Sequence, residues 1–222
     1  MELPVVIVNF KNYSESTGQK AVELVKTCKE VVEEFGVSIA VCPQFTELRE
    51  AVDFGIPVFA QHIDPIEKAG AYTGSVVAEN LKALGVAGSL INHSEHRIPF
   101  EQIAKCIEIL RSGGMVSVCC AATAEEVGKI AGLQPDFVAI EPPELIGSGI
   151  SVSTAKPEIV LESVKAAGKV KVLCGAGITT GEDVRRALEL GTVGVLLASG
   201  VVKAVNPKAV LEELAAAAKE RV

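Results

Sequence analysis

A chain of 222 residues, 49% apolar and 22% charged, excludes a disordered polymer and fits a globular protein whose sheet is covered on both faces. Its net charge of -7 argues against nucleic acid as a partner, because backbone phosphates demand clustered Lys and Arg. No run approaches the ~20 apolar residues of a spanning helix and no apolar stretch follows a basic N-terminus, so neither a membrane partner nor a secretory leader is expected.

Along the chain, short β-branched runs alternate with longer amphipathic segments. Strands are expected over 5–9, 38–41, 58–60, 88–91, 115–119, 137–140, 170–174 and 194–197. None alternates cleanly between apolar and polar residues, as befits strands buried on both faces. Helical stripes fall between them: Val22, Val25, Cys28, Val32 and Phe35; Ile103, Ile107 and Leu110; Leu211, Leu214 and Ala218. Thr179-x-x-Glu182 has the spacing of a capping box, Gly191 reads as a helix terminator, and Asn206-Pro207 reads as a cap followed by proline at the first helical position. Eight such β/α units, about 28 residues each, predict an eightfold (β/α) barrel over residues 1–222. A doubly wound open sheet is the alternative, but no GxGxxG follows the first strand.

A parallel barrel gathers every strand C-terminus on one face, so polar residues at those ends converge. Asn9 and Lys11 close the first strand, Asn92-His93-Ser94-Glu95 the fourth, and Glu141 the sixth. A helical turn beginning at Ser94 would aim its N–H groups at His93 and disfavour the imidazolium. His62 and His96 read as structural histidines. After the seventh strand, Gly175-Ala176-Gly177-Ile178-Thr179, and after the eighth, Ala198-Ser199-Gly200, offer small residues whose backbone N–H groups can approach an anion, where barrels commonly hold phosphate. The segment 141–149 joins stiff prolines to a glycine-rich close, the composition of a hinged lid. Six cysteines form no CxxC pair and lie mostly in apolar runs, which predicts reduced core thiols and a cytoplasmic location. No His, Asp and Cys cluster has metal-ligand spacing, so no metal is expected.

Asn9-Phe10-Lys11, His93-Ser94-Glu95-His96-Arg97, Glu141-Pro142 and Ala71-Tyr72-Thr73-Gly74 together resemble the triosephosphate isomerase family, in order and over essentially the whole chain, most closely its short archaeal branch. Against the family's common pattern, Phe10 stands for a tryptophan and Pro143-Glu144 for the lid tryptophan segment. Gly177 stands for serine, and Ala198-Ser199 for a Gly-Gly pair. The resemblance implies a TIM barrel that interconverts dihydroxyacetone phosphate and D-glyceraldehyde 3-phosphate through an enediolate, in glycolysis and gluconeogenesis, without a cofactor.

It implies Glu141 as the base, His93 as the neutral electrophile, Lys11 stabilising the oxyanion, Asn9 as a hydrogen-bond donor and Glu95 orienting Lys11 by charge pairing. Asn9, Lys11, Ile146, Gly147, Gly177, Ala198 and Ser199 would hold the phosphorylated triose. Residues 71–74 would enter a second subunit, giving at least a homodimer and, as in the archaeal branch, a homotetramer. Two rivals are weighed against this. An aldolase-like barrel would use Lys11 as a Schiff-base amine, which a Lys11–Glu95 pair would disfavour by keeping it protonated. A non-catalytic phosphosugar-binding barrel would need the loops but neither Glu141 nor His93.

Overall fold

The computed structural model describes residues 1–147 and 149–220; Ser148, inside the expected lid, lies outside the described residues. Eight parallel strands form: β1 (Val5–Asn9), β2 (Ser38–Cys42), β3 (Phe59–Ala60), β4 (Gly88–Ile91), β5 (Val116–Ala121), β6 (Phe137–Ile140), β7 (Lys171–Gly175) and β8 (Gly194–Leu197). They pair in the order β2-β1-β8-β7-β6-β5-β4-β3. A parallel bridge between Val41 and Val58 brings the two ends of that order together, so the sheet all but closes on itself. This is the eightfold (β/α) barrel, and the doubly wound open sheet is excluded.

Side chains alternate along each strand between two cores. Val5 and Ile7 point into the barrel with Ala40, Cys42, Phe59, Leu90, Val118, Cys120, Phe137, Ala139, Leu173 and Leu196. Val6 and Val8, with Ile39 and Val41, point outward to the helices. Each such fully buried Val, Leu, Ile or Phe contributes roughly 1.5–3 kcal/mol. Both sides of the strands are therefore largely apolar, which is why the sequence shows no clean in/out alternation.

The outer layer is α1 (Gln19–Phe35), α2 (Leu48–Val52), α3 (Ala78–Leu84), α4 (Phe100–Ser112), α5 (Ala124–Ala131), α6 (Val152–Ala155), α7 (Pro157–Ala167), α8 (Gly181–Glu189), α9 (Ser199–Val202) and α10 (Pro207–Lys219). The buried stripe of α1 is Ala21, Leu24, Val25, Cys28 and Val31. It is turned from the expected one, since Val32 and Phe35 only flank the core. The capping box also shifts by one residue. Thr180, not Thr179, accepts from the backbone of Asp183, and the Asp183 carboxylate returns the bond to the Thr180 N–H, leaving Glu182 outside it. Asn206 caps α10 with Pro207 in the first turn, and Gly191 takes a left-handed φ of 94° just beyond α8.

Candidate active site

At the end of β1 the inward column Val5, Ile7 continues to Asn9, which is buried. Its Oδ1 accepts the Lys11 N–H at 3.0 Å. Lys11 adopts a left-handed φ of 49°, and Gln61 fastens it there. The Gln61 Nε2 donates to the Lys11 carbonyl and to the Cys42 carbonyl, each at 3.1 Å. Lys11 Nζ donates to Glu95 Oε1 at 2.7 Å, the expected pair. Gln61 escaped the sequence reading although it carries the same signal as the other site residues, a polar side chain where an apolar strand runs out.

On β4, strand alternation would send residue 93 outward with Ile91. Asn92 breaks the alternation with a left-handed φ of 62°. Its side chain holds that turn, Nδ2 donating to the Cys120 carbonyl at 3.0 Å and Oδ1 accepting the Ile98 N–H at 3.1 Å. His93 is thereby buried against the cavity. The residues after it form a turn closed by a 2.7 Å bond from the His96 N–H to the His93 carbonyl, not the helical turn expected. In that turn the Glu95 N–H donates to His93 Nδ1 at 3.2 Å. A ring nitrogen that accepts a backbone N–H carries no proton, which leaves the proton on Nε2.

Glu141 continues the inward column of Phe137 and Ala139 on β6 and is 6% exposed. Its Oε2 is buried without a hydrogen-bond partner among the described residues, and lies 3.7 Å from His93 Nε2. A Cβ at Gly175 would sit 2.3 Å from Glu141 Cγ, so the end of β7 is bare to admit the carboxylate. Burial first, then the Glu141 charge, pushes the Cys120 thiol well above its ordinary range, and the Cys42 thiol rises for the same two reasons in the same order. Both thiols beside this carboxylate are thus neutral. A buried, unpaired carboxylate oxygen is costly to the fold, and such a cost marks a group awaiting a partner.

Every candidate residue except Glu95 lines one narrow cavity of about 30 Å³: Asn9, Lys11, His93, Glu141, Ile146, Gly147, Gly177, Ala198 and Ser199. Glu95 lines an adjoining, wider cavity of about 530 Å³ together with Lys11, His93, His62 and His96. There the rings of His62 and His96 stack with centroids 4.0 Å apart. Gly177, at φ 73°, passes so close beneath the lid that a Cβ would lie 1.9 Å from the Ile150 carbonyl oxygen. Lys203 is turned away and stands over the Tyr13 ring, 4.3 Å from its centroid. Among the described residues no group of three or more His, Cys, Asp or Glu is placed to hold a metal ion, and no helix is long and apolar enough to cross a membrane.

A barrel whose strand ends gather a buried carboxylate, an imidazole and an ammonium beside a backbone-walled cavity is an acid–base enzyme of the (β/α) barrel class. Residues 4–217 match the family model described as triosephosphate isomerase. The chain is 53% identical to a triosephosphate isomerase of Methanothermus fervidus, an alignment covering 96% of this chain and 98% of that one. It is 51% identical to that of Methanosarcina barkeri over the same shares, and 49% identical to that of Methanothermobacter thermautotrophicus over 96% and 95%. The chain belongs to the triosephosphate isomerase family.

Proposed function

We propose that this chain, as one catalytic domain over residues 1–222, interconverts dihydroxyacetone phosphate and D-glyceraldehyde 3-phosphate in glycolysis and gluconeogenesis, with Glu141 and His93 as the proton-transfer pair. The observation that carries the reading is the unpartnered Glu141 Oε2 and His93 Nε2, 3.7 Å apart and lining one cavity, so that a single substrate can meet both groups from the same side. A glutamate base beside a neutral histidine is the arrangement for which this family is the standard example. Glu141 removes a proton from the carbon next to the carbonyl. His93 donates from Nε2 to the carbonyl oxygen, and Lys11, oriented by Glu95, opposes the enediolate charge with Asn9 donating beside it. Ile146, Gly147, Gly177, Ala198 and Ser199 hold the phosphate through backbone N–H groups. The six free, buried cysteines support a reducing, cytoplasmic location.

Purified protein given dihydroxyacetone phosphate in deuterium oxide should form glyceraldehyde 3-phosphate carrying deuterium at C2, read by proton NMR. An unlabelled share of product is the proton that Glu141 returns to C2 before it exchanges; deuterium wholly absent from both C2 of the product and C1 of recovered substrate would remove the base-mediated mechanism, and no product would remove the activity.

The proposal extends to assembly. The loop 71–74 carries Tyr72, 56% exposed, and the 530 Å³ cavity beside Asn9 and Lys11 is of a size to receive such a loop from a second copy. Light scattering should give at least a dimer, with pairs of dimers forming a tetramer. An active species at the 23.2 kDa monomer mass would reject it.

A further inference from the structure

We propose that Ser153 is a positioning residue for the lid, its hydroxyl fastening the lid's second hinge to the loop that walls the phosphate end of the cavity; this rests on the isomerase reading of the same site.

Two residues beyond the 141–149 lid, at its second hinge, Ser151 is buried and caps α6 by accepting the Ser153 N–H at 3.2 Å. The two hydroxyls are 2.7 Å apart. Ser153 is wholly buried, and its Oγ donates to the main-chain oxygen of Asp183 in the first turn of α8 at 3.2 Å. One proton per hydroxyl then fixes the direction of the relay: Ser151 donates to Ser153, and Ser153 donates to Asp183.

Asp183 is also the anchor of the loop after β7. Its Oδ2 accepts the N–H groups of Thr179 and Thr180, each at 3.0 Å, and their hydroxyls at 3.3 and 2.9 Å. The same loop touches the hinge twice more. The Val152 N–H donates to the Ala176 carbonyl at 3.3 Å, and Gly177 lies against the Ile150 carbonyl with no room for a Cβ. The hinge and the phosphate loop are therefore two ends of one braced unit, and Ser153 is the side chain that joins them.

The consequence is chemical. The lid's own Ile146 and Gly147 share the cavity with Gly177, so a phosphate held there meets the lid and the loop together. If the hinge slips out of register, the lid no longer excludes water over the enediolate. The enediolate electron pair then forms a carbon–carbon double bond toward C3 while the C3–O bond breaks. Inorganic phosphate leaves with that bonding pair, and the remaining enol tautomerises to 2-oxopropanal.

The test compares Ser153→Ala, Ser153→Thr and Ser163→Ala in the full-length protein. Ser163, on α7, is an equally buried hydroxyl with no hydrogen-bond partner among the described residues, so its loss controls for burial alone. Three readouts apply: KM and kcat, the share of turnovers releasing inorganic phosphate, and the affinity for unreactive glycerol 3-phosphate. Loss of one buried hydrogen bond should raise KM and the phosphate-release share by about three- to tenfold in Ser153→Ala, with kcat changed far less. Ser153→Thr, which keeps the hydroxyl, should recover most of this, and Ser163→Ala should match the parent. A Ser153→Ala protein with parental KM and parental phosphate release overturns the proposal, as does a loss confined to kcat or shared by Ser163→Ala. Should the parent prove inactive as an isomerase, that reading of the site falls; weaker glycerol 3-phosphate binding in Ser153→Ala alone would still uphold the brace, and unchanged binding would sink it.

Discussion

Glu141→Gln should lower kcat by about 10²- to 10⁴-fold, the usual worth of a positioned general base, and leave KM nearly unmoved. The amide fills the volume of the carboxylate, so the bare surface of Gly175 still accommodates it. What it lacks is an atom able to take a proton at the buried position 3.7 Å from His93 Nε2. The melting temperature should not fall, because the parental Oε2 has no partner and costs the fold rather than supporting it. Glu141→Asp should be impaired by about 10²-fold, a retreat of ~1 Å being enough to misplace the base. Steady-state kinetics with thermal melting decide the matter. Near-native turnover in Glu141→Gln would end the assignment of the base.

Gly177→Val should raise KM sharply and weaken inhibition by inorganic phosphate, by about 10- to 100-fold for an overpacking strain of ~1–3 kcal/mol. Two independent obstacles meet there: a φ of 73° that a β-branched residue resists, and a Cβ position 1.9 Å from the Ile150 carbonyl oxygen. The lid hinge and the phosphate loop would have to part. Lys203→Ala should change phosphate inhibition little, because that ammonium rests on the Tyr13 ring and does not line the cavity. Inhibition lost in Lys203→Ala and kept in Gly177→Val would mean that the phosphate is held by a cation and not by the main chain.

The strands were readable because a buried parallel strand is a short apolar run ended by a turn, and each of the eight lies within two residues of its expected bounds. The limits of such reading are local. Thr179 and Thr180 both suit a cap, with Glu182 and Asp183 three residues on, and only the backbone decides that the pair is Thr180 with Asp183. The face of α1 moved because Ala21 and Leu24 meet the barrel while Val32 and Phe35 sit at its margin.

At the site, Asn9 and Glu141 follow from strand parity, and a reader counting by twos from Val5 or Phe137 arrives at them. His93 does not, because parity would turn it outward until Asn92 adopts a left-handed turn that nothing in the local pattern announces. The bare flank at Gly175 is equally hidden, since a glycine beside a buried carboxylate looks no different in sequence from one in a tight turn.

The contact between Gly177 and the Ile150 carbonyl has a consequence for how such a site drifts over generations. Where one main chain rests directly on another, specificity is stored in absent atoms. Side chains around the grip are free to change identity without being noticed, while the mildest possible replacement at the contact itself is among the worst. A deep mutational survey of this chain would therefore draw this contact in negative, as a small island where adding a single methyl group is less tolerated than exchanging a charge nearby.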